Sequence, residues 1–106
     1  PIFDAFDVLI TPTVSSPEIP AENWQKSKLI VNGKSVTDTD LAMTGLWNMF
    51  GHCPVLAVPS GMTDQGLPTG IQIIGRPYDD VTVFRVGTSL EHARPWLDTT
   101  DRRPST

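Results

Sequence analysis

The sequence predicts an α/β fold with about three core strands, one small hairpin and two helices that cover the strands. Three observations carry this. Short apolar runs at residues 8–11, 55–58 and 69–75 are largely consecutive rather than alternating, as in strands buried on both faces. Residues 40–50 and 81–94 instead space their apolar side chains three and four apart, as amphipathic helices do. Ten prolines and eight glycines punctuate the chain into elements of this length.

Taken in order, Phe3 and Phe6 stand at helical spacing, so the chain opens in the last turn of a helix. Asp7-Val8-Leu9-Ile10-Thr11 then predicts a buried strand over 8–11 that stops at Pro12. No partner strand for it is legible nearby, which leaves its edge open. Residues 13–24 hold Pro17 and Pro20 among polar residues and are expected to be irregular. In 26–36, Asn32-Gly33 between β-favouring residues predicts a hairpin with arms 29–31 and 34–36. Such a hairpin is a surface feature of the kind that can cover a pocket.

Thr37 or Thr39 is placed to cap a helix over 40–50, with Asp40 in its first turn, where a carboxylate suits the helix dipole. Leu41, Thr44, Trp47 and Asn48 share one face, and Met43, Leu46, Trp47 and Phe50 an overlapping apolar one. Gly45 weakens the middle by ~1 kcal/mol relative to alanine, which implies a close approach to the backbone there, and Gly51 is the expected stop. Strand 55–58 lies between Pro54 and Pro59, residues 60–68 form a loop, and strand 69–75 returns antiparallel. In it Ile71 and Ile73 face one way, Gln72 and Ile74 the other. Asp79 or Asp80 caps a helix over 81–94, whose Gly87 permits close packing on the strands. Pro95 ends it, Trp96-Leu97 docks back, and 98–106 is a polar tail.

Composition narrows the function. With 39% hydrophobic and 19% charged residues the chain is of globular type. A net charge of −4 and the lack of a basic stripe argue against a nucleic-acid partner. No run of 18 apolar residues exists to span a membrane. The single cysteine, Cys53, excludes an internal disulfide and fits a reducing, cytoplasmic setting. The chain starts at Pro1 and enters an apolar segment at once, so it is expected to be the C-terminal portion of something longer.

The search for chemistry finds little. No serine sits in a Gly-x-Ser-x-Gly turn. Ser60 follows a strand without a recognisable base and reads as a loop residue satisfying local backbone groups. Cys53 beside His52 raises a thiol–imidazole pair, but adjacent side chains point apart and Cys53 reads as a packed thiol. Two histidines and one cysteine make no metal cluster, and no cofactor motif is present. Asp38, Asp40, Asp79 and Asp80 read first as helix caps or first-turn carboxylates.

Four pieces, in order, carry a resemblance: Phe6-Asp7-Val8-Leu9-Ile10-Thr11-Pro12-Thr13; Asn48-x-x-Gly51-x-x-Pro54; Val58-Pro59-Ser60-Gly61; and Gly66-Leu67-Pro68-Thr69-Gly70-Ile71-Gln72-Ile73-Ile74-Gly75. Together they resemble the C-terminal part of the amidase signature family, over nearly the whole chain up to Leu90-Glu91. The resemblance implies a mixed β-sheet covered by helices, of which residues 1–106 are the C-terminal portion of a single domain. It implies hydrolysis of a carbon–nitrogen amide bond through an acyl-serine intermediate, with a Ser-Ser-Lys triad from a glycine- and serine-rich segment that this chain does not contain. No residue here is assigned to the triad. The segment before the asparagine motif borders the substrate cleft in the family. By position this gives Asp40, Met43, Thr44 and Trp47, with Trp47 a flat wall for an acyl or aryl group and Thr44 a hydrogen-bonding group. In the related aminoacyl-tRNA amidotransferases an acidic residue binding the substrate amino group would fall near Leu41 or Asp40. Expected partners are a small-molecule amide and the remainder of the amidase fold, with a homo-oligomer left open and neither nucleic acid nor membrane expected. The alternatives are the amidase-like subunit of a glutamine-dependent aminoacyl-tRNA amidotransferase and a non-catalytic α/β binding module. Gln72, an amide inside an apolar strand, needs buried partners and is expected to tether a neighbouring loop.

Overall fold

The computed structural model describes residues 2–17, Ile19 and residues 29–98. Pro1, Glu18, residues 20–28 with Pro20, and the tail beyond residue 98 lie outside them. A short 3₁₀ turn, Ile2–Asp4, leads into strand β1, Val8–Pro12. A separate hairpin joins β2, Leu29–Val31, to β3, Lys34–Val36. Asn32 and Gly33 both have positive φ (52° and 75°), as a two-residue hairpin turn of the primed type requires.

The main sheet has the order β1-β5-β4, with both pairings antiparallel. Strand β4 runs Val55–Met62 and β5 runs Pro68–Gly75. The strand at 8–11 is therefore not without a partner: Val8 lies opposite Gly75 and Pro12 opposite Ile71. Only the closure of more than fifty residues of chain brings the two together. Strand β4 is also twice as long as the apolar run that announced it. Residues 60–62, expected in a loop, continue the ladder, with Gly61 opposite Thr69 and a register shift between Pro59 and Gly61. A bulge at Ser60, followed by Gly61 at φ 151°, lets the strand bend and pass a proline without losing its partner. The connection shrinks to 63–67, closed by Thr63 N–H to Leu67 O at 2.8 Å and by Gly66 at φ 79°.

The long helix is α3, Asp80–Ala93, capped by Asp79, whose carboxylate accepts from Thr82 N–H at 3.2 Å. It packs on β4 and β5, over the face that carries Leu56, Ile73 and Gly75. A β-carbon on Gly87 would run into Leu56, and one on Gly75 would meet Val83 at 2.5 Å. These two glycines set how closely helix and sheet approach. Beyond Arg94 a 3₁₀ turn, Trp96–Asp98, follows, with Trp96 N–H bonded to the Glu91 carboxylate at 3.1 Å.

The single helix expected over 40–50 does not form. Two short helices stand in its place: α1, Asp38–Leu41, and α2, Gly45–Met49. Between them Ala42 forms a β-bridge with Val14, Ser15 N–H donates to Leu41 O, and Met43 N–H donates to Thr13 O. Those groups would otherwise sit in the helical ladder, so a longer-range pairing displaces it. Gly45 opens α2 with nothing within 4 Å of where its β-carbon would be, so no close approach explains it. Gly51 is not a left-handed stop either; Phe50 caps α2, its N–H bonded to Trp47 O. Met43, Leu46 and Phe50 are exposed, not an inward apolar face. Among the described residues the buried apolar core is Leu41, Ile73, Ile74 and Val83.

Candidate functional site: a clamped segment before a short helix

Two of the four family-like pieces, the first and the last, meet around Gln72. Gln72 is central in β5, between Thr11 of β1 and Ala57 of β4, and only 2% exposed. Its Nε2 donates to Pro12 O at 2.9 Å, Thr11 Oγ1 at 3.2 Å and Met43 O at 3.3 Å. Two of these are carbonyls, which can only accept, so the amide must point its NH₂ group at them. Thr13 adds to the same cluster: its N–H and its hydroxyl both donate to Gly70 O, and its own carbonyl accepts from Met43 N–H. Both backbone groups of Met43 are thus held, one by Thr13 and one by Gln72, immediately before Thr44 and α2. The expectation that Gln72 tethers a loop is met, and the loop is 41–43. Thr13 closes the first family-like piece of the sequence, which assigned it no role; the structure gives it one.

The four expected site residues fall as follows. Asp40 is exposed on α1, and its Oδ2 accepts from Thr37 N–H at 2.9 Å and Thr37 Oγ1 at 2.8 Å. These bonds, the backbone one foremost, hold its carboxyl below the ordinary 3.8. Its carboxylate turns back on the cap and not toward α2. Met43 is clamped through its backbone while the residue is 40% exposed. Thr44 is half-buried at the N-cap of α2, yet its hydroxyl makes no capping bond there. Trp47 is half-buried on α2. The structure therefore brings Met43, Thr44 and Trp47 onto one short, backbone-fixed segment and leaves Asp40 apart.

Elsewhere the chemistry stays modest. Ser60, on β4 and not in a loop, has its Oγ 2.9 Å from Thr69 Oγ1. The pair lines a hollow of about 470 Å³ with Leu90, Arg94 and Trp96, and among the described residues neither histidine nor lysine lines its wall to serve as a base. His52 Nδ1 is 3.0 Å from the Tyr78 hydroxyl, and Tyr78 N–H donates to His52 O. The imidazole is engaged there and makes no pair with the half-buried thiol of Cys53. No group of three or more histidine, cysteine or acidic side chains able to hold a metal occurs among the described residues. No helix among them is long and apolar enough to cross a membrane.

Fold and site define a class: an antiparallel sheet backed by one helix, with the Met43 backbone clamped ahead of a short helix and no nucleophile–base pair among the described residues. The family model described as Amidase matches residues 1–84, and the chain belongs to the amidase family. It is 33% identical over 104 residues to the putative amidase AmiB2 of Mycobacterium tuberculosis, covering 98% of this chain and 21% of that protein. An acylamidase of Rhodococcus erythropolis is 36% identical over 95 residues, 88% of this chain and 19% of its own length. A glutamyl-tRNA(Gln) amidotransferase subunit of Chloroflexus aggregans is 33% identical over 95 residues, 90% of this chain and 18% of that protein. Among solved structures, a bacterial aryl acylamidase of the amidase signature family superposes with a TM-score of 0.80 at 32% identity, over 98% of this chain and 22% of that one. The chain thus spans about a fifth of the length of these proteins, and over that fifth its α/β fold is the amidase signature fold.

Proposed function

We propose that this chain is the cleft-wall and scaffold portion of an amidase that hydrolyses a carbon–nitrogen amide bond. A serine attacks the acyl carbon, the amine departs with a proton, and water then cleaves the acyl ester to the acid. The Ser-Ser-Lys residues of that chemistry are supplied by the rest of the amidase fold. Residues 43–47 face the substrate, with Trp47 against its acyl or aryl group and Thr44 hydrogen bonding to it. The observation that carries this reading is the likeness to the aryl acylamidase at TM-score 0.80 and 32% identity. The hydroxyl of Thr44, which makes no capping bond, and the half-buried indole of Trp47 are consistent with it. Asp40 fits a binding role less well, because its carboxylate is engaged by Thr37. The substrate is a small molecule; cytoplasmic placement, supported by the unpaired Cys53, and an optional homo-oligomer complete the proposal.

The test is hydrolysis by the complete enzyme of an acyl anilide and a short aliphatic amide. Trp47→Ala is expected to change the preference between them by roughly 10-fold or more, as loss of a pocket wall does, with little change in thermal midpoint. A large fall in the midpoint with unchanged preference would assign Trp47 to the core. The amidotransferase reading is favoured by the 33% identity to the Chloroflexus aggregans protein. Glutamine-dependent amidation of charged tRNA, without release of amine from simple amides, would establish it instead.

A further inference from the structure

We propose that Gln72 is a positioning residue for substrate selectivity, acting through the backbone of Met43 on the Thr44–Trp47 wall; this rests on the reading that 43–47 lines the cleft. The amide is buried, and its three acceptors come from two distant parts of the chain, the end of β1 and the turn between α1 and α2. The α2 helix has five residues, too few to hold its own orientation. Its direction is therefore set by what fixes its entry, and that is Met43: N–H to Thr13 O, carbonyl to Gln72 Nε2. Thr13 is itself anchored on Gly70 of β5, so both holds on Met43 lead back to the central strand. Without the Gln72 donor, Met43 O and Pro12 O face each other with no hydrogen between them. The turn keeps its hold through Thr13 and the Val14–Ala42 bridge but loses the one on the Met43 carbonyl, so its last peptide tilts and carries Thr44 and Trp47 with it. A substrate held by that wall is displaced, and displacement of about 1 Å at a reacting centre is enough to cost on the order of 100-fold in rate.

The test compares Gln72→Met, which keeps length and loses the donors, with Ile74→Val, which trims packing on the same face of β5. Both are made in the complete enzyme, beside Trp47→Ala. Gln72→Met is expected to speed hydrogen exchange of the amides of 43–49 at least about 10-fold, leaving those of β4 and β5 protected. It is also expected to shift the anilide-to-aliphatic preference in the direction of Trp47→Ala, more through kcat than KM, as a displaced reacting centre requires. Ile74→Val should do neither. If Trp47→Ala shifts preference but Gln72→Met leaves exchange or preference unchanged, the positioning role is wrong and the cleft wall stands. Should exchange rise while neither variant alters preference, the cleft wall itself is wrong and the role falls with it. If Gln72→Met fails to fold, Gln72→Asn, which keeps the amide but draws it back by one methylene, takes its place with the same outcomes.

Discussion

At the residue scale, close approach and buried polarity have different legibility. Gln72 announced itself, because an amide in an apolar strand must find partners; unpaired, it would cost ~1–3 kcal/mol. Gly75 did not. Its role depends on Val83, Asp79 and Pro54 arriving from later and earlier chain, and nothing in the local sequence records that. A β-carbon at Gly75 would sit 2.5 Å from Val83 Cγ2 and 3.1 Å from both Asp79 O and Pro54 Cγ. Val83 is buried and β-branched, with one favoured rotamer in a helix, and Asp79 O is backbone, so α3 itself has to move. Gly75→Ala is therefore expected to destabilise by ~1–3 kcal/mol, the usual cost of overpacking. At Gly87 the collision is with the tip of a leucine, which can turn, and alanine recovers ~1 kcal/mol of helix propensity. Gly87→Ala should thus be the milder change, and thermal melting of the two variants checks the order. A larger loss at Gly87 would mean that the packing of α3 is fixed at its middle and not at its start.

At the element scale, what is local was legible and what is not was lost. The hairpin of β2 and β3 lies at the expected residues because its turn residues select it with no outside help. The helix over 40–50 failed because residues 13–15, nearly thirty positions earlier, claim the backbone of 41–43 for a β-bridge. The partnership of β1 with β5 was invisible for the same reason. Caps are local, and their electrostatics give a prediction. Asp79 titrates below its ordinary 3.8 because Thr82 hydrogen bonds to its ionised form, helped by the charges of Arg76 and Arg85. A folded pKa below the unfolded one means stability present above about pH 4 and lost as pH falls through the lowered value. The Asp79→Asn variant keeps the geometry of the cap but has no carboxylate to titrate. The thermal midpoint of the unsubstituted protein should therefore fall relative to that of Asp79→Asn as pH drops from about 5 to about 3, and the difference should be constant above about pH 5. Parallel curves throughout would show that the Asp79 charge contributes nothing to α3.

At the scale of the whole molecule, the described residues bury little. Four apolar side chains and Gln72 are buried, while Phe84 on α3 is 61% exposed, Met49 on α2 83% and Ile10 on β1 59%. Ile10 lies in the same row as Ile73 and Leu56, but α3 packs on β4 and β5 and leaves the β1 end of that face open. The outer edges of β1 and β4 also carry no further strand among the described residues. Exposed apolar faces and open edges of this kind are interaction surfaces or aggregation sites. In an amidase fold about five times this length, the remaining chain is what would cover them. Residues 1–106 expressed alone are therefore expected to melt broadly, bind a hydrophobic dye and self-associate. The sequence had pointed to the same outcome through a strand at 8–11 without a partner; the structure pairs that strand and transfers the reason to the shallow core. The distinction is measurable. Lysine at Phe84 and Ile10 should reduce dye binding and association of the isolated segment without altering protection of the β1–β5 amides. The same pair of substitutions in the complete enzyme should be strongly destabilising, because there they would bury two charges. A sharp two-state transition of the isolated segment with no dye binding would instead mean that 106 residues suffice for a self-contained domain.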